Sequence, residues 1–120
     1  MTEPIEALMR SHLFEVFGQR DARLRFAAVE RVYAEDVQFA DPDGVVVGRE
    51  ALNTKAQGLL DDAPSFVFDQ DGPIHVNHDL SVLAWTFGPE GQPPVVKGMD
   101  ICLVRDNVIA KVYTVITKAP

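Results

Sequence analysis

The hydrophobic pattern of this chain changes once along its length, near Pro64, and this change most constrains the fold. Before Pro64, apolar residues recur mainly at the three- and four-residue intervals of amphipathic helices. After Pro64, segments rich in β-branched and aromatic residues follow one another, separated by turn-forming residues. Helices followed by strands predict an α+β domain whose helices pack on one face of a sheet.

Three helices are predicted in the first half of the chain. They cover residues 4–17, 21–33 and 49–60. Asp21 is suited to the N-cap of the second helix, because its carboxylate can accept hydrogen bonds from free backbone N–H groups. Gly48 precedes the third helix and opens it.

Strands are predicted on both sides of a turn in the first half and throughout the second half. The predicted strands are residues 37–39, 45–47, 66–69, 74–77, 81–87, 95–105 and 108–117. Asp106 and Asn107 predict a two-residue hairpin turn, in which Asn can take a positive φ. Because the last two strands are long, we expect a strongly bent, mostly antiparallel sheet.

Length and charge exclude several classes of protein. The 120 residues are expected to form one domain, residues 1–120, that is large enough to bury a core. The formal net charge of −7 argues against nucleic acid or an anionic membrane surface as a partner. The single cysteine, Cys102, fits a reducing compartment, and the N-terminal residues lack the pattern of a signal peptide. We therefore expect a cytoplasmic protein without a membrane span.

Asp41 is the first candidate for a functional side chain. It follows the apolar pair Phe39-Ala40 and precedes Pro42. A carboxylate in this position can act as a base in a pocket. It can equally be the first residue of a turn, bonded to its own backbone.

Asp100 is the second candidate, because it interrupts an apolar row. On the strand 95–105, alternation places it on the same side as Val96, Gly98, Cys102 and Val104. A carboxylate in a buried row is costly unless it is hydrogen-bonded or neutral. The alternative is a solvated Asp100 paired with Lys97 or Arg105.

Several other side chains are candidates for the core or for a pocket wall. His12 lies on the apolar face of the first helix, where it can bond a carbonyl or pair with an acid. His75 and His78 are expected at the surface, and the three histidines show no metal-ligand spacing, so no metal is predicted. The predicted pocket-wall residues are Phe14, Phe17, Tyr33, Trp85, Cys102 and Thr114.

The order and spacing of several short motifs resemble those of a known family. The motifs are Tyr33-Ala34-Glu35-Asp36-Val37, Asp41-Pro42-Asp43-Gly44, Gly48-Arg49-Glu50-Ala51-Leu52, Trp85 and Gly98-Met99-Asp100-Ile101. Together they resemble the SnoaL-like branch of the nuclear transport factor 2-like superfamily. The resemblance covers essentially the whole chain. It implies three N-terminal helices on a curved sheet, an apolar pocket at the open end of the resulting cone, and a homodimer formed through the outer sheet face.

Activity varies within this superfamily, so each position has to be compared separately. In the ketosteroid isomerases, an Asp base faces an oxyanion site made of a Tyr and a protonated Asp. The resemblance places the base on Asp41 and the protonated acid on Asp100. The tyrosine falls at about Leu13, beside His12, and a second network tyrosine falls near Ala56. The steroid isomerase apparatus is thus incomplete in this chain.

The resemblance leads to one leading hypothesis and two alternatives. The leading hypothesis is a cofactor-free isomerase or aldol-type cyclase that acts on a small hydrophobic carbonyl compound. In it, Asp41 moves the proton and Asp100 donates to the oxygen. The first alternative is a non-catalytic ligand-binding or dimerisation module. The second is a dehydratase that uses His12 with Asp100.

Overall fold

A computed structural model describes residues 3–120 of the chain. Its helices are α1 Glu3–Ser11, α2 Ala22–Val32 and α3 Arg49–Asp62, and a π-helical segment, His12–Phe17, continues α1 without a break. The strands are β1 Tyr33–Asp41, β2 Gly44–Val47, β3 Phe66–Gln70, β4 His75–Asn77, β5 Leu80–Pro89, β6 Val96–Arg105 and β7 Val108–Lys118.

The strands form one mostly antiparallel sheet in the order β2-β1-β7-β6-β5-β3, with β4 paired to β5. The pairing of β1 with β7 is parallel, whereas the other strand pairs are antiparallel. The β6–β7 register shifts twice, between Lys97 and Gly98 and between Leu103 and Val104. Such bulges bend and twist long strands. The predicted α+β fold, with helices packed on a curved sheet, is therefore confirmed.

Local signals in the sequence account for most of the element boundaries. Asp21 caps α2 by accepting hydrogen bonds from the backbone N–H groups of Arg23 and Leu24, at 3.0 and 3.1 Å. Gly48 precedes α3 with φ 101°, a conformation that side chains other than glycine rarely adopt. Asp106 and Asn107 take φ values of 53° and 63° in the last hairpin, as a type I′ turn requires.

The first helix differs from the prediction of one regular α-helix. Its last six residues are π-helical, and the N–H of Gly18 donates to the carbonyl of Leu13, five residues back, at 2.8 Å. Each π-type turn holds one extra residue and so shifts the faces of the helix. His12, Leu13, Val16 and Phe17, which share the apolar face at helical spacing, are all buried.

The first strand is longer than the predicted residues 37–39, and it changes the end of the second helix. Strand β1 starts at Tyr33, which pairs with Ile109 of β7. Helix α2 therefore ends at Val32, one residue before the predicted end. Pairing with a strand that is distant in sequence decided this boundary.

The core lies between the helices and the inner face of the sheet. On β5, Leu83, Trp85 and Phe87 face inward, and on β6 Asp100 and Cys102 do so. The alternation predicted for these two strands is confirmed. Asp100 is only 5% exposed, so the solvated alternative for this residue is wrong.

We expect Gly98→Ala to destabilise the fold, because the space beside Gly98 is filled. A Cβ atom at this position would lie 2.5 Å from Cζ2 of Trp85 and 2.8 Å from the carbonyl oxygen of Val115. Overpacking of this kind costs about 1–3 kcal/mol. Urea denaturation measures the loss.

Gly58→Ala is the matched control for Gly98→Ala. Gly58 lies within α3, and a Cβ atom there would meet nothing within 4 Å. Alanine in a helix interior is favoured over glycine by about 0.5–1 kcal/mol, so this variant should be at least as stable as the parent. Equal unfolding midpoints for the two variants would contradict the close packing of Trp85 against Gly98.

Candidate functional site

A cavity of about 290 Å³ opens between the helices and the inner face of the sheet. Its walls are mainly apolar, formed by Leu13, Phe17, Phe39, Leu59, Phe68 and Ile116. Two groups of polar side chains interrupt these walls. One group contains Asp100, Trp85 and Thr114, and the other contains Asp41, Asp43 and Lys55. A small apolar volume with a few convergent polar groups is the usual character of a ligand site.

Asp100 is the buried acid of this cavity, and three elements supply its hydrogen-bond partners. Its Oδ1 accepts from Nε1–H of Trp85 at 3.0 Å and from Oγ1–H of Thr114 at 2.8 Å. Its Oδ2 lies 2.6 Å from Nε2 of His12. Together these contacts offset the cost of removing a carboxylate from water.

Behind Asp100, the contacts continue away from the cavity through His12 to Tyr33. Nδ1 of His12 lies 2.5 Å from the hydroxyl oxygen of Tyr33, and both side chains are fully buried. Burial raises the pKa of Tyr33 well above its ordinary value, and electrostatic interactions with Cys102 and Asp100 raise it further. The phenol of Tyr33 therefore stays protonated throughout the neutral range.

Cys102 lies next to Asp100 on the same inward row of β6. It is fully buried, and its pKa is raised well above the ordinary value by burial and by the charge of Asp100. A thiol in this environment is a poor nucleophile, because the thiolate is the reactive form.

Asp41, Asp43 and Lys55 form the second polar group of the cavity. Nζ of Lys55 lies 3.0 Å from Oδ2 of Asp41 and 3.1 Å from Oδ2 of Asp43. The other oxygen of Asp41, Oδ1, accepts from the backbone N–H of Asp43 at 2.9 Å. Asp41 is therefore bonded to its own turn and also lines the cavity.

Lys55 is held as a cation by these carboxylates. Its hydrogen bond to Asp41 is the largest cause of its raised pKa; Asp43 adds to the rise and partial burial opposes it. Lys55 was not among the predicted site residues, because it lies off the apolar face of α3. The pairing joins the turn to a helix that follows later in the chain, and no local pattern marks it.

The structure brings five of the nine predicted site residues into the cavity wall. These are Asp41, Asp100, Phe17, Trp85 and Thr114. His12, Tyr33 and Cys102 are fully buried and do not line the cavity; they lie behind its wall.

Phe14 does not belong to the pocket wall, contrary to the prediction. It is 42% exposed and does not line this cavity. Helical spacing places Phe14 and Glu15 on the face opposite Leu13 and Phe17, so Phe14 lies at the surface while Leu13 and Phe17 face the cavity.

An outer groove of about 750 Å³ adjoins the cavity. The two spaces share Asp41, Asp43, Lys55 and Leu59 as lining residues. The groove continues between α3 and the sheet, with Phe66 and Phe87 in its wall. The ion pairs of Lys55 with Asp41 and Asp43 therefore lie where the cavity meets the more open groove.

Three further features of the described residues concern metal binding, the other two histidines and membrane spans. Within residues 3–120, no group of three His, Cys, Asp or Glu side chains could hold a metal ion. His75 and His78 are exposed, as predicted. None of the helices in this part of the chain is long and apolar enough to span a membrane.

Comparison with known proteins connects this arrangement to one family. The family model of the SnoaL-like domain matches residues 11–112. No curated protein matches the sequence at a significant level.

Solved structures with the same fold are similar over nearly the whole chain. A candidate isomerase of the SnoaL-like family from Agrobacterium tumefaciens has a TM-score of 0.87 at 17% identity, covering 97% of this chain and 98% of its own. A candidate ketosteroid isomerase from Kribbella flavida has a TM-score of 0.74 at 16% identity, covering 98% and 81%. A candidate SnoaL-like polyketide cyclase from Jannaschia has a TM-score of 0.77 at 13% identity, covering 97% and 86%. At these identities the likeness shows the fold alone.

The buried phenol of Tyr33 predicts a loss of stability at alkaline pH. Its pKa is raised in the folded state, so the unfolded chain releases this proton first, near the ordinary value of 10.0. The stabilisation is complete below that pH and is lost as the pH rises toward the folded pKa. Urea denaturation between pH 8 and about 11 measures this slope.

Tyr33→Phe should remove part of this alkaline loss of stability. When tyrosinate absorbance is followed as the pH is raised, Tyr33→Phe should lack the absorbance increase that occurs at the highest pH. Tyr113→Phe removes the other tyrosine, which is 43% exposed, and serves as the control. A Tyr33→Phe variant with an unchanged late component would contradict the raised pKa.

Proposed function

The chain belongs to the SnoaL-like domain family, and from this premise we propose that its cavity binds a small, mainly apolar carbonyl compound and transfers a proton on it without a cofactor. The observation that carries the proposal is the buried carboxylate of Asp100 in an otherwise apolar cavity. A base in such a site is shielded from water, and the electrostatic interactions around it are strengthened. The relatives named as candidate isomerases and a polyketide cyclase agree with this class of reaction.

The contacts favour Asp100 as the base. Trp85 can only donate through its indole N–H, so Oδ1 of Asp100 must accept at that contact. Asp41, the base in the resemblance to ketosteroid isomerases, has one oxygen bonded to the turn and the other to Lys55. We therefore assign proton transfer to Asp100 and the positioning of Lys55 to Asp41. The expectation from the sequence differed, with Asp41 moving the proton and Asp100 donating to the oxygen.

Lys55 is the group proposed to stabilise the oxygen of the bound compound. It lines the same cavity as Asp100 and remains an ammonium ion. When Asp100 removes a proton from the carbon next to the carbonyl, the electron pair of that C–H bond moves into an enolate. The negative charge develops on oxygen, where a fixed cation lowers the energy of the transition state.

Two outcomes complete the reaction with atoms and charges balanced. In the isomerisation of a β,γ-unsaturated compound, the enolate is conjugated with the double bond, and protonated Asp100 returns its proton to the γ carbon while the double bond moves into conjugation with the carbonyl. In an aldol-type closure, the enolate carbon attacks a second carbonyl, and Asp100 protonates the new alkoxide. Neither outcome consumes an external oxidant or reductant, so no cofactor is needed for either.

A dehydratase remains the second candidate activity, because one observation favours it. Nε2 of His12 lies 2.6 Å from Asp100, the short distance that the hypothesis requires. His12 itself does not line the cavity, so it would act on the bound compound through Asp100. A dehydratase would show loss of water from a β-hydroxy carbonyl compound.

The first functional test measures isomerisation of small neutral ketones, including β,γ-unsaturated cyclic ketones, by NMR in deuterated water. We expect Asp100→Asn to reduce any turnover by about 10²–10⁴-fold, the usual contribution of a positioned base. Lys55→Met should lower turnover as well. Asp36→Asn, an exposed acid that pairs with Arg105, is the control with retained turnover.

The possible outcomes of this test separate the candidate functions. Unchanged turnover in Asp100→Asn would refute the mechanism. Binding of apolar ketones with no turnover of any compound would instead support a non-catalytic ligand-binding module.

We also propose that the outer face of the sheet forms a homodimer. Tyr113 and Val115 of β7 are 43% and 44% exposed on this face, beside the half-buried Met99 and Ile101 of β6. The double variant Tyr113→Asp/Val115→Asp should be monomeric in light scattering at micromolar concentration, whereas the parent should have twice the mass. A parent that is already monomeric would contradict this proposal.

A further inference from the structure

One line of side chains runs from the interior to the cavity and ends on Asp100. The hydroxyl of Tyr33 contacts Nδ1 of His12 at 2.5 Å, and Nε2 of His12 contacts Oδ2 of Asp100 at 2.6 Å. Tyr33 and His12 are fully buried, and Asp100 alone of the three reaches the cavity. Each of these two hydrogen bonds contains a single proton. The atom that carries the proton in one bond therefore restricts which atom carries it in the other.

The far end of the line sets the direction of its hydrogen bonds. Within residues 3–120, the Tyr33 hydroxyl has His12 as its one hydrogen-bond partner. If Nδ1 of His12 carried a proton and donated it to this oxygen, the phenol proton would have no acceptor in a buried site, which costs free energy. The phenol therefore donates to Nδ1, and Nδ1 carries no proton.

The same reasoning applies to the other forms of His12. A doubly protonated imidazolium would again present Nδ1–H to the phenol and leave the phenol proton without an acceptor. An ionised Tyr33 would accept from it, but burial and the nearby negative charge hold the phenol in its neutral form. The form that satisfies every group is the neutral ring with its proton on Nε2, and this N–H donates to Asp100.

All three partners of Asp100 then act as donors. Oδ1 accepts from Trp85 and Thr114, and Oδ2 accepts from His12. A protonated Asp100 that donated through Oδ2 would meet the Nε2–H group of His12. Asp100 is thus the acceptor in all three of its hydrogen bonds.

We propose that Tyr33 is a positioning residue that holds His12 in the Nε2–H tautomer and thereby keeps Asp100 a proton acceptor. The catalytic meaning of this assignment rests on the proposed function. The tautomer itself is a property of the folded protein without any bound compound.

The line of hydrogen bonds also determines where the proton goes after Asp100 has removed it. Nε2 of His12 already carries a proton, and Nδ1 already accepts from Tyr33, so His12 cannot take the proton from Asp100. The C–H bond of the compound breaks and an O–H bond forms on Asp100. The proton stays on that carboxyl until it returns to the same molecule, so transfer is intramolecular and little of it exchanges with solvent.

The tautomer is measured by long-range proton–nitrogen NMR on protein labelled with ¹⁵N-histidine. The chain has three histidines, and a His75→Gln/His78→Asn background leaves His12 as the only signal. His75 and His78 are exposed, and asparagine tolerates the positive φ of 55° at His78. At neutral pH we expect a protonated Nε2 and an unprotonated Nδ1.

Tyr33→Phe removes only the hydroxyl that fixes the tautomer. In this variant we expect the two nitrogen shifts of His12 to move toward each other, as they do in a mixture of tautomers. Tyr113→Phe removes an exposed hydroxyl elsewhere and should leave both shifts unchanged. A proton on Nδ1 in the parent at neutral pH, or unchanged shifts in Tyr33→Phe, would overturn the proposal.

A second readout concerns the reaction and separates this inference from the proposed function. With any β,γ-unsaturated ketone that turns over, Tyr33→Phe should raise the deuterium incorporated from solvent per turnover at least several-fold. Equal incorporation in the two proteins would overturn the role of Tyr33 in retaining the proton. If no ketone turns over, the proposed function fails, and the NMR result still decides the tautomer.

Discussion

The buried carboxylate of Asp100 is the constraint on which the rest of this structure depends. An unpaired carboxylate at this depth would destabilise the fold by several kcal/mol, so its partners must be in place. They come from the segment after α1, from β5 and from β7, as His12, Trp85 and Thr114. Satisfying one side chain therefore locks a helix against the inner face of the sheet. The same contacts that allow the fold to bury an acid also hold that acid in a defined orientation towards the cavity.

The π-helical segment links the packing of the first helix to the character of the site. Within this segment, His12 contacts Asp100 while Leu13 and Phe17 face the cavity. The fold itself is shared with structures only 13–17% identical, so fold membership leaves the chemistry open. The chemistry of this chain therefore depends on the polar set within its mainly apolar cavity: one acid supported from behind by His12, and Lys55 held between carboxylates near the surface.

Much of the fold could be predicted from the sequence, because it depends on local signals. Helical spacing, the Asp21 cap and the hairpin at Asp106 and Asn107 act over a few residues, and all are present in the structure. The alternation of residues along β6 also predicted correctly that Asp100 lies in an inward-facing row. The prediction for Phe14 was wrong because helical spacing places this residue away from the face of Leu13 and Phe17, and its aromatic side chain alone does not bring it into the pocket. The hydrogen bond from Gly18 to Leu13, which makes the last turn π-helical, was not predicted from the sequence.

The sequence by itself determined the class of fold, the inward row that contains Asp100 and the turn that contains Asp41, since periodicity and turn chemistry are local properties. Only the tertiary structure decided which of these groups meet. His12 and Asp100 are 88 positions apart, and Lys55 meets Asp41 only because α3 packs beside the β1–β2 turn. Contacts of this kind depend on the paths of whole strands and helices. For that reason the two acids and a pairing of His12 with Asp100 could be proposed from the sequence, whereas Lys55 and the contrasting surroundings of the two acids could not.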